Sequence, residues 1–145
     1  MTTGSLHHVA IAVPSIATAL PFYRDTLGFA ARELRALPDQ RVRVAFLEAG
    51  DALIELVEPL DDTSGVARYL AARGRATLHH LCFAVDDLAG TLRRLEADGI
   101  ELIDRVPRAG VEGDVAFVHP RAADGVLVEL IDRATLRRSP HTSSA

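Results

Sequence analysis

Two runs of the chain alternate in the same way: Leu6-His7-His8-Val9-Ala10-Ile11-Ala12-Val13 and Leu78-His79-His80-Leu81-Cys82-Phe83-Ala84-Val85. Period-two alternation predicts a strand from each. A turn follows each run, Pro14-Ser15 in one case and Asp86-Asp87 in the other, and then the apolar period lengthens to that of a helix. The first helix is expected to run through Ile16, Leu20, Tyr23 and Leu27, with Ser15 as its cap and Gly28 as its stop. Pro21 lies well inside it and predicts a kinked or irregular turn. The second is expected to be capped by Asp86, to carry Leu88, Leu92 and Leu95 on one face and to end at Gly99. Three strand-like stretches follow each helix, 29–34, 41–47 and 52–58 in the first half and 100–103, 115–119 and 126–131 in the second.

The pattern therefore reads as one strand–helix–three-strand module written twice. Module one spans 5–60, a linker with a short helix ended by Gly74 spans 61–76, and module two spans 77–132. A polar tail, 133–145, is expected to fray. At 145 residues this suits a single domain of α+β class.

Composition narrows the chemistry. A single cysteine, Cys82, rules out an intrachain disulfide and a thiolate-clustered zinc site, so any metal must be held by His and carboxylate. All 16 basic residues are Arg, which removes lysine Schiff-base chemistry and a P-loop lysine. A formal charge of −4 with scattered Arg gives no basic stripe for nucleic acid. No apolar run approaches a membrane span, and the first residues lack a signal-peptide pattern, so a cytoplasmic location is expected.

Strand parity then picks out four residues. His8, Ala10 and Ala12 share one face of their strand, and His80, Cys82 and Ala84 share the matching face of theirs; the other faces, with Val9, Ile11 and Val13 or Leu81, Phe83 and Val85, should meet the helices. His7 and His79 fall on the outer faces and read as structural. Glu55 and Glu129 each interrupt an apolar strand, in Leu53-Ile54-Glu55-Leu56-Val57 and Leu127-Val128-Glu129-Leu130-Ile131. A lone carboxylate in a buried strand is costly unless it is paired or metal-bound. His8 and His80 stand 72 residues apart and Glu55 and Glu129 74, so all four hold corresponding places in the two modules. Two imidazoles and two carboxylates suit a borderline divalent ion (cobalt, manganese, nickel, iron or zinc) with positions left open for substrate.

At these residues the chain resembles the vicinal oxygen chelate (glyoxalase/bleomycin resistance/dioxygenase) superfamily, and within it the methylmalonyl-CoA epimerase family. The opening His8-Val9-Ala10-Ile11-Ala12-Val13-Pro14 and Phe22-Tyr23-Arg24-Asp25-Thr26-Leu27-Gly28-Phe29 carry the superfamily likeness. Ile54-Glu55-Leu56-Val57-Glu58-Pro59-Leu60, the His79-His80 pair and Val115-Ala116-Phe117-Val118-His119-Pro120 carry the epimerase likeness. The resemblance implies paired βαβββ modules whose curled mixed sheet forms a cup, His8, Glu55, His80 and Glu129 as metal ligands, cobalt as the expected ion, an acyl-CoA substrate and a homodimer. The implied reaction is proton abstraction at the carbon between a thioester and a carboxylate, with return of the proton to the opposite face.

Glu129 resembles the carboxylate proposed for one face. The family's second carboxylate, on the third strand, maps to Val44, which leaves Glu48, His119 or a water near Gln40 as candidates for the second base. Arg41 also stands where the family's turn commonly has glycine. Gln40, Arg43, Gly113 in the loop 108–114, and Arg121 are the candidate substrate contacts. Other readings of the same framework are a glyoxalase I-like isomerase (lactoylglutathione lyase) and a metal-free drug-binding resistance protein. An extradiol dioxygenase would leave Glu55 unexplained.

Overall fold

The computed structural model describes residues 4–137. These form two compact units, residues 6–81 and residues 4–5 with 82–137. The division falls inside a strand, between Leu81 and Cys82, and not at the 76/77 boundary that the repeat suggests.

In the first unit β1 (Ser5–Ala12) leads to α1 (Ile16–Pro21), β2 (Ala30–Ala31), β3 (Arg35–Leu37), β4 (Val42–Ala49), β5 (Ala52–Pro59) and α2 (Gly65–Arg73), and the first half of β6 (Thr77–Val85) completes it. The strands lie in the order β2-β4-β5-β1-β6, with β3 also paired to β4. β4 and β5 form an antiparallel hairpin closed at Ala49 and Ala52, where Gly50 takes a φ of 65° that a side chain would oppose. β1 runs parallel to β5, with Ala10 opposite Glu55. Ile11, Val13, Leu47, Ile54 and Leu56 pack with Ile16, Leu20 and Tyr23 of the helical segment. The face with Ile11 and Val13 thus meets the helix, as alternation predicts, and His8, Ala10 and Ala12 turn the other way, all buried.

The second unit repeats the plan. The rest of β6 leads to α3 (Leu88–Ala97), β7 (Arg108–Ala109), β8 (Asp114–Val118) and β9 (Val128–Asp132), in the order β6-β9-β8-β7. In the first unit β1 lies beside β5, β5 beside β4 and β4 beside β2; in the second β6 lies beside β9, β9 beside β8 and β8 beside β7. Val85, Leu88, Leu92, Ala116, Val118 and Leu130 form the helix-side core. Cys82, Ala84, Val115 and Ile131 cluster separately. The α+β class and the doubled βαβββ plan read from the sequence are those of the structure.

Local departures have local causes. Ser15 caps α1 by accepting from the Thr18 N–H, but the helix is α-helical only to Pro21 and continues as a π-helical turn, Phe22–Thr26. Proline lacks the N–H that the regular ladder needs, and the wider turn accommodates the loss. The expected strand 29–34 is reduced to β2, because Phe29 turns into the α1 core, and β3 (Arg35–Leu37), also paired to β4, lies just beyond the expected stretch. The expected strand 100–103 is a single bridge, Leu102 to Val118. Arg108–Ala109, read as part of a turn, pairs with β8. Residues 133–135 of the expected fraying tail form a 3-10 turn, and Arg133 is held by Asp86, Ser5 Oγ and the Ala84 carbonyl. Residues 138–145 of that tail lie outside the described residues.

The cap of α3 is Asp87, not Asp86. Asp87 is extended and its carboxylate accepts from the Gly90 N–H, while Asp86 pairs with Arg133. Asp87→Ala is expected to lower the unfolding free energy by about 1 kcal/mol. Asp86→Ala, which removes an exposed ion pair, should cost less. Urea titration of the two variants reads the difference, and the reverse order would return the cap to Asp86.

Candidate metal centre

Register builds the centre of the first unit. On the face turned away from α1, β1 presents His8, Ala10 and Ala12, β5 presents Leu53, Glu55 and Val57, and β4 presents Val42, Val44, Phe46 and Glu48. Ala10 and Ala12 are small and fully buried, and His8, Glu55 and His80 are buried as well, 3%, 9% and 8% exposed. His8 Nε2 lies 3.2 Å from His80 Nε2. Glu55 Oε1 lies 3.7 Å from the first of these nitrogens and 3.6 Å from the second. Phe46, directly opposite Glu55, sets its ring edge against His8 at 5.8 Å between centroids.

Three donor atoms with these separations have a common point about 2.0 Å from each, the length of zinc–imidazole and zinc–carboxylate bonds. The Glu55 distances are also longer than an N–H···O hydrogen bond. The residues therefore fit a divalent ion: two imidazoles and a carboxylate, with no thiolate among the three, is the donor chemistry of the borderline metals.

The corresponding carboxylate of the second unit is placed in the same way among its own strands. Glu129 on β9 stands opposite Phe117 on β8, as Glu55 on β5 stands opposite Phe46 on β4, and it is 8% exposed. Arg108 lies over the Phe117 ring at 5.3 Å and is anchored by Asp104 at 3.3 Å. This cation on the Glu129 face is a residue that the sequence reading passed over, because its strand is two residues long and sits in a Gly-rich loop.

The remaining candidates each have a local setting of their own. Val44 is buried on the metal-centre face, opposite Val57. Glu48 shares that face but is held by Arg32 at 3.3 Å. Arg43 lies on the opposite face of β4, where it pairs with Glu58 at 3.2 Å, and Glu58 also accepts from the Ile16 N–H at the start of α1. Gln40 is exposed in a 3-10 turn. His119 caps another such turn through Nδ1, which accepts from the Arg121 N–H, and Arg121 itself is exposed beside Glu101. Gly113 is buried against Thr135, whose hydroxyl accepts from the Asp114 N–H, so this loop is stitched to the segment after β9. His7 and His79, read as outward-facing, bring their rings back into contact with His8 and His80.

A doubled βαβββ fold with paired His and Glu on corresponding strands defines a class of protein. The chain matches the model of the glyoxalase/bleomycin resistance protein/dioxygenase superfamily over residues 7–119, and it belongs to that superfamily. Within it the chain has relatives that are epimerases, a kind of isomerase. It is 37% identical to the ethylmalonyl-CoA/methylmalonyl-CoA epimerase of Cereibacter sphaeroides, over 88% of this chain and 96% of that one. A crystal structure of methylmalonyl-CoA epimerase from Mycobacterium tuberculosis superposes with a TM-score of 0.83 at 36% identity, covering 90% of this chain and 88% of that one. It is also 42% identical to the uncharacterized protein YqjC of Bacillus subtilis, over 88% of this chain and 91% of that one. Among the described residues no helix is long and apolar enough to cross a membrane.

Proposed function

We propose that this chain is a metal-dependent epimerase of 2-alkylmalonyl-CoA thioesters. The observation that carries the reading is the triangle of His8 Nε2, His80 Nε2 and Glu55 Oε1, with sides of 3.2 to 3.7 Å, in a chain that has relatives named for that reaction. His8, His80 and Glu55 would hold the ion, cobalt or another of the borderline set, with Glu129 as the fourth ligand by its matching place in the repeat. When bound, the ion supplies Lewis-acid stabilisation to negative charge developing on the substrate's thioester and carboxylate oxygens.

The protein's own groups set up the proton transfer. Glu129, a carboxylate in a buried strand, takes the proton from C2 of the thioester. Ala10 and Ala12 keep the β1 face beside His8 free of bulky side chains. On the β4 part of the metal-centre face Val42, Val44 and Phe46 carry no titratable group and Glu48 is paired with Arg32, so the proton delivered to the opposite side of C2 comes from Glu48 released from that pair, from another group such as His119, or from water. A homodimer in the cytoplasm is part of the same reading.

The test is solvent exchange. The purified protein with methylmalonyl-CoA in deuterium oxide is expected to incorporate deuterium at C2, to stop when the metal is stripped by chelation and to resume when it is restored. Metal bound without exchange would overturn the reaction while leaving the centre standing, and turnover of a glutathione hemithioacetal in its place would assign a glyoxalase.

A further inference from the structure

Each metal-facing histidine is preceded by another, and the two pairs have one geometry. His7 Nδ1 lies 2.8 Å from His8 Nδ1, and His79 Nδ1 lies 2.8 Å from His80 Nδ1. The ring centroids are 5.0 and 5.1 Å apart, at 74° and 76°. Successive residues of a strand point to opposite faces, so each outer ring has to fold back to make this contact.

A neutral imidazole has one N–H and one lone pair. At 2.8 Å one Nδ1 of each pair donates and the other accepts. If His7 and His79 donated, His8 and His80 would both carry their proton on Nε2, and two N–H groups would face each other across 3.2 Å. With the protons on Nδ1 of His8 and His80, both Nε2 lone pairs face Glu55 and the space between them. That arrangement treats the two copies alike, and a cation held between the two lone pairs and the Glu55 carboxylate turns their mutual repulsion into three favourable contacts.

The second copy has an outer support. The Tyr69 ring stands edge-on to His79 with centroids 4.9 Å apart, its hydroxyl donates to the Leu78 carbonyl, and the Arg73 guanidinium covers its other side at 3.7 Å. Tyr69 and Arg73 are one turn apart on α2, the helix that reads from sequence as part of a linker.

We propose that His7 and His79 are positioning residues for the metal centre. Each accepts the Nδ1–H of the histidine that follows it, fixes that ring's tautomer and plane, and so aims Nε2 at the ion; α2 braces the second pair through Tyr69. This rests on reading His8, Glu55 and His80 as metal ligands. Outer partners of ligating histidines commonly govern affinity by 10- to 100-fold.

The experiment titrates the metal-free protein with Co2+ and compares the wild-type chain with His79→Phe, His79→Asn and His80→Ala. His79→Phe keeps the ring against Tyr69 but removes the acceptor, and its Kd is expected to rise about 10- to 100-fold. His79→Asn places Oδ1 where Nδ1 stood and should recover most of the affinity. Long-range proton–nitrogen NMR correlations of the metal-free wild type should show His80 as the Nδ1–H tautomer, with Nε2–H gaining in His79→Phe. Undiminished affinity in His79→Phe, with binding lost in His80→Ala, would overturn the positioning role and keep the centre. Equal weakness of the Phe and Asn variants, or an Nε2–H tautomer at His80 in the wild type, would overturn it as well. Failure of the wild-type chain to bind Co2+ would overturn the ligand set on which it rests.

Discussion

His80→Ala is expected to yield a folded protein that binds no divalent ion at stoichiometric concentration and that exchanges the C2 proton at least about a thousandfold more slowly than wild type. The expectation follows from the geometry around one atom. His80 Nε2 stands 3.2 Å from His8 Nε2 and 3.6 Å from Glu55 Oε1, and its removal leaves one imidazole and one carboxylate of the triangle. A Lewis acid at developing oxyanions is worth several kcal/mol, and each 1.36 kcal/mol is tenfold in rate. The fold should survive, because His80 lies at a face floored by alanine and outside the apolar clusters that join strands to helices. Metal analysis after gel filtration, with the exchange assay on the same sample, reads both parts. Full metal content in a folded His80→Ala protein would show that this triad is not the binding site.

Leu56→Ala should do the opposite, damaging stability and sparing the centre. Leu56 is 0% exposed on the helix-facing side of β5, between Glu55 and Val57, which face the other way. It packs with Val13, Ile16, Ala45 and Leu47. Truncating such a side chain leaves a cavity and costs about 2–5 kcal/mol, a large part of the roughly 5–15 kcal/mol that holds a domain folded. Denaturant unfolding should show that loss, while the folded protein's Co2+ affinity stays within a fewfold of wild type. A loss below about 1 kcal/mol would mean that β5 presents its other face to the helix.

Much of this was legible because strands have a period of two. Once His8 and Ala10 are placed on one face, Ile11 and Val13 must take the other, and the α1 core bears that out. The same parity separates Arg43 from Val44, and in the structure Arg43 pairs with Glu58. Asp86 and Asp87 are both able to cap, and the choice between them rests on Arg133, 47 residues away from Asp86, which no local pattern contains. The π-helical turn after Pro21 was foreseen as an irregularity but not as that geometry. Arg108 was missed because two residues are too few to show a period.

By itself the sequence determined the doubled plan, the buried face of each strand, and the placing of His8, His80, Glu55 and Glu129 at corresponding positions, since these follow from spacing along one chain. The distances were decided by tertiary structure alone. Glu55 stands opposite Ala10 and not opposite His8, so it reaches the imidazoles diagonally, and this offset belongs to the parallel register of β1 and β5. His8 meets His80 across 72 residues of chain because pairing between distant strands brings them together. The folding back of His7 and His79 is likewise invisible to parity, which places a Cβ above or below a sheet but leaves the ring free to turn until neighbouring groups fix it.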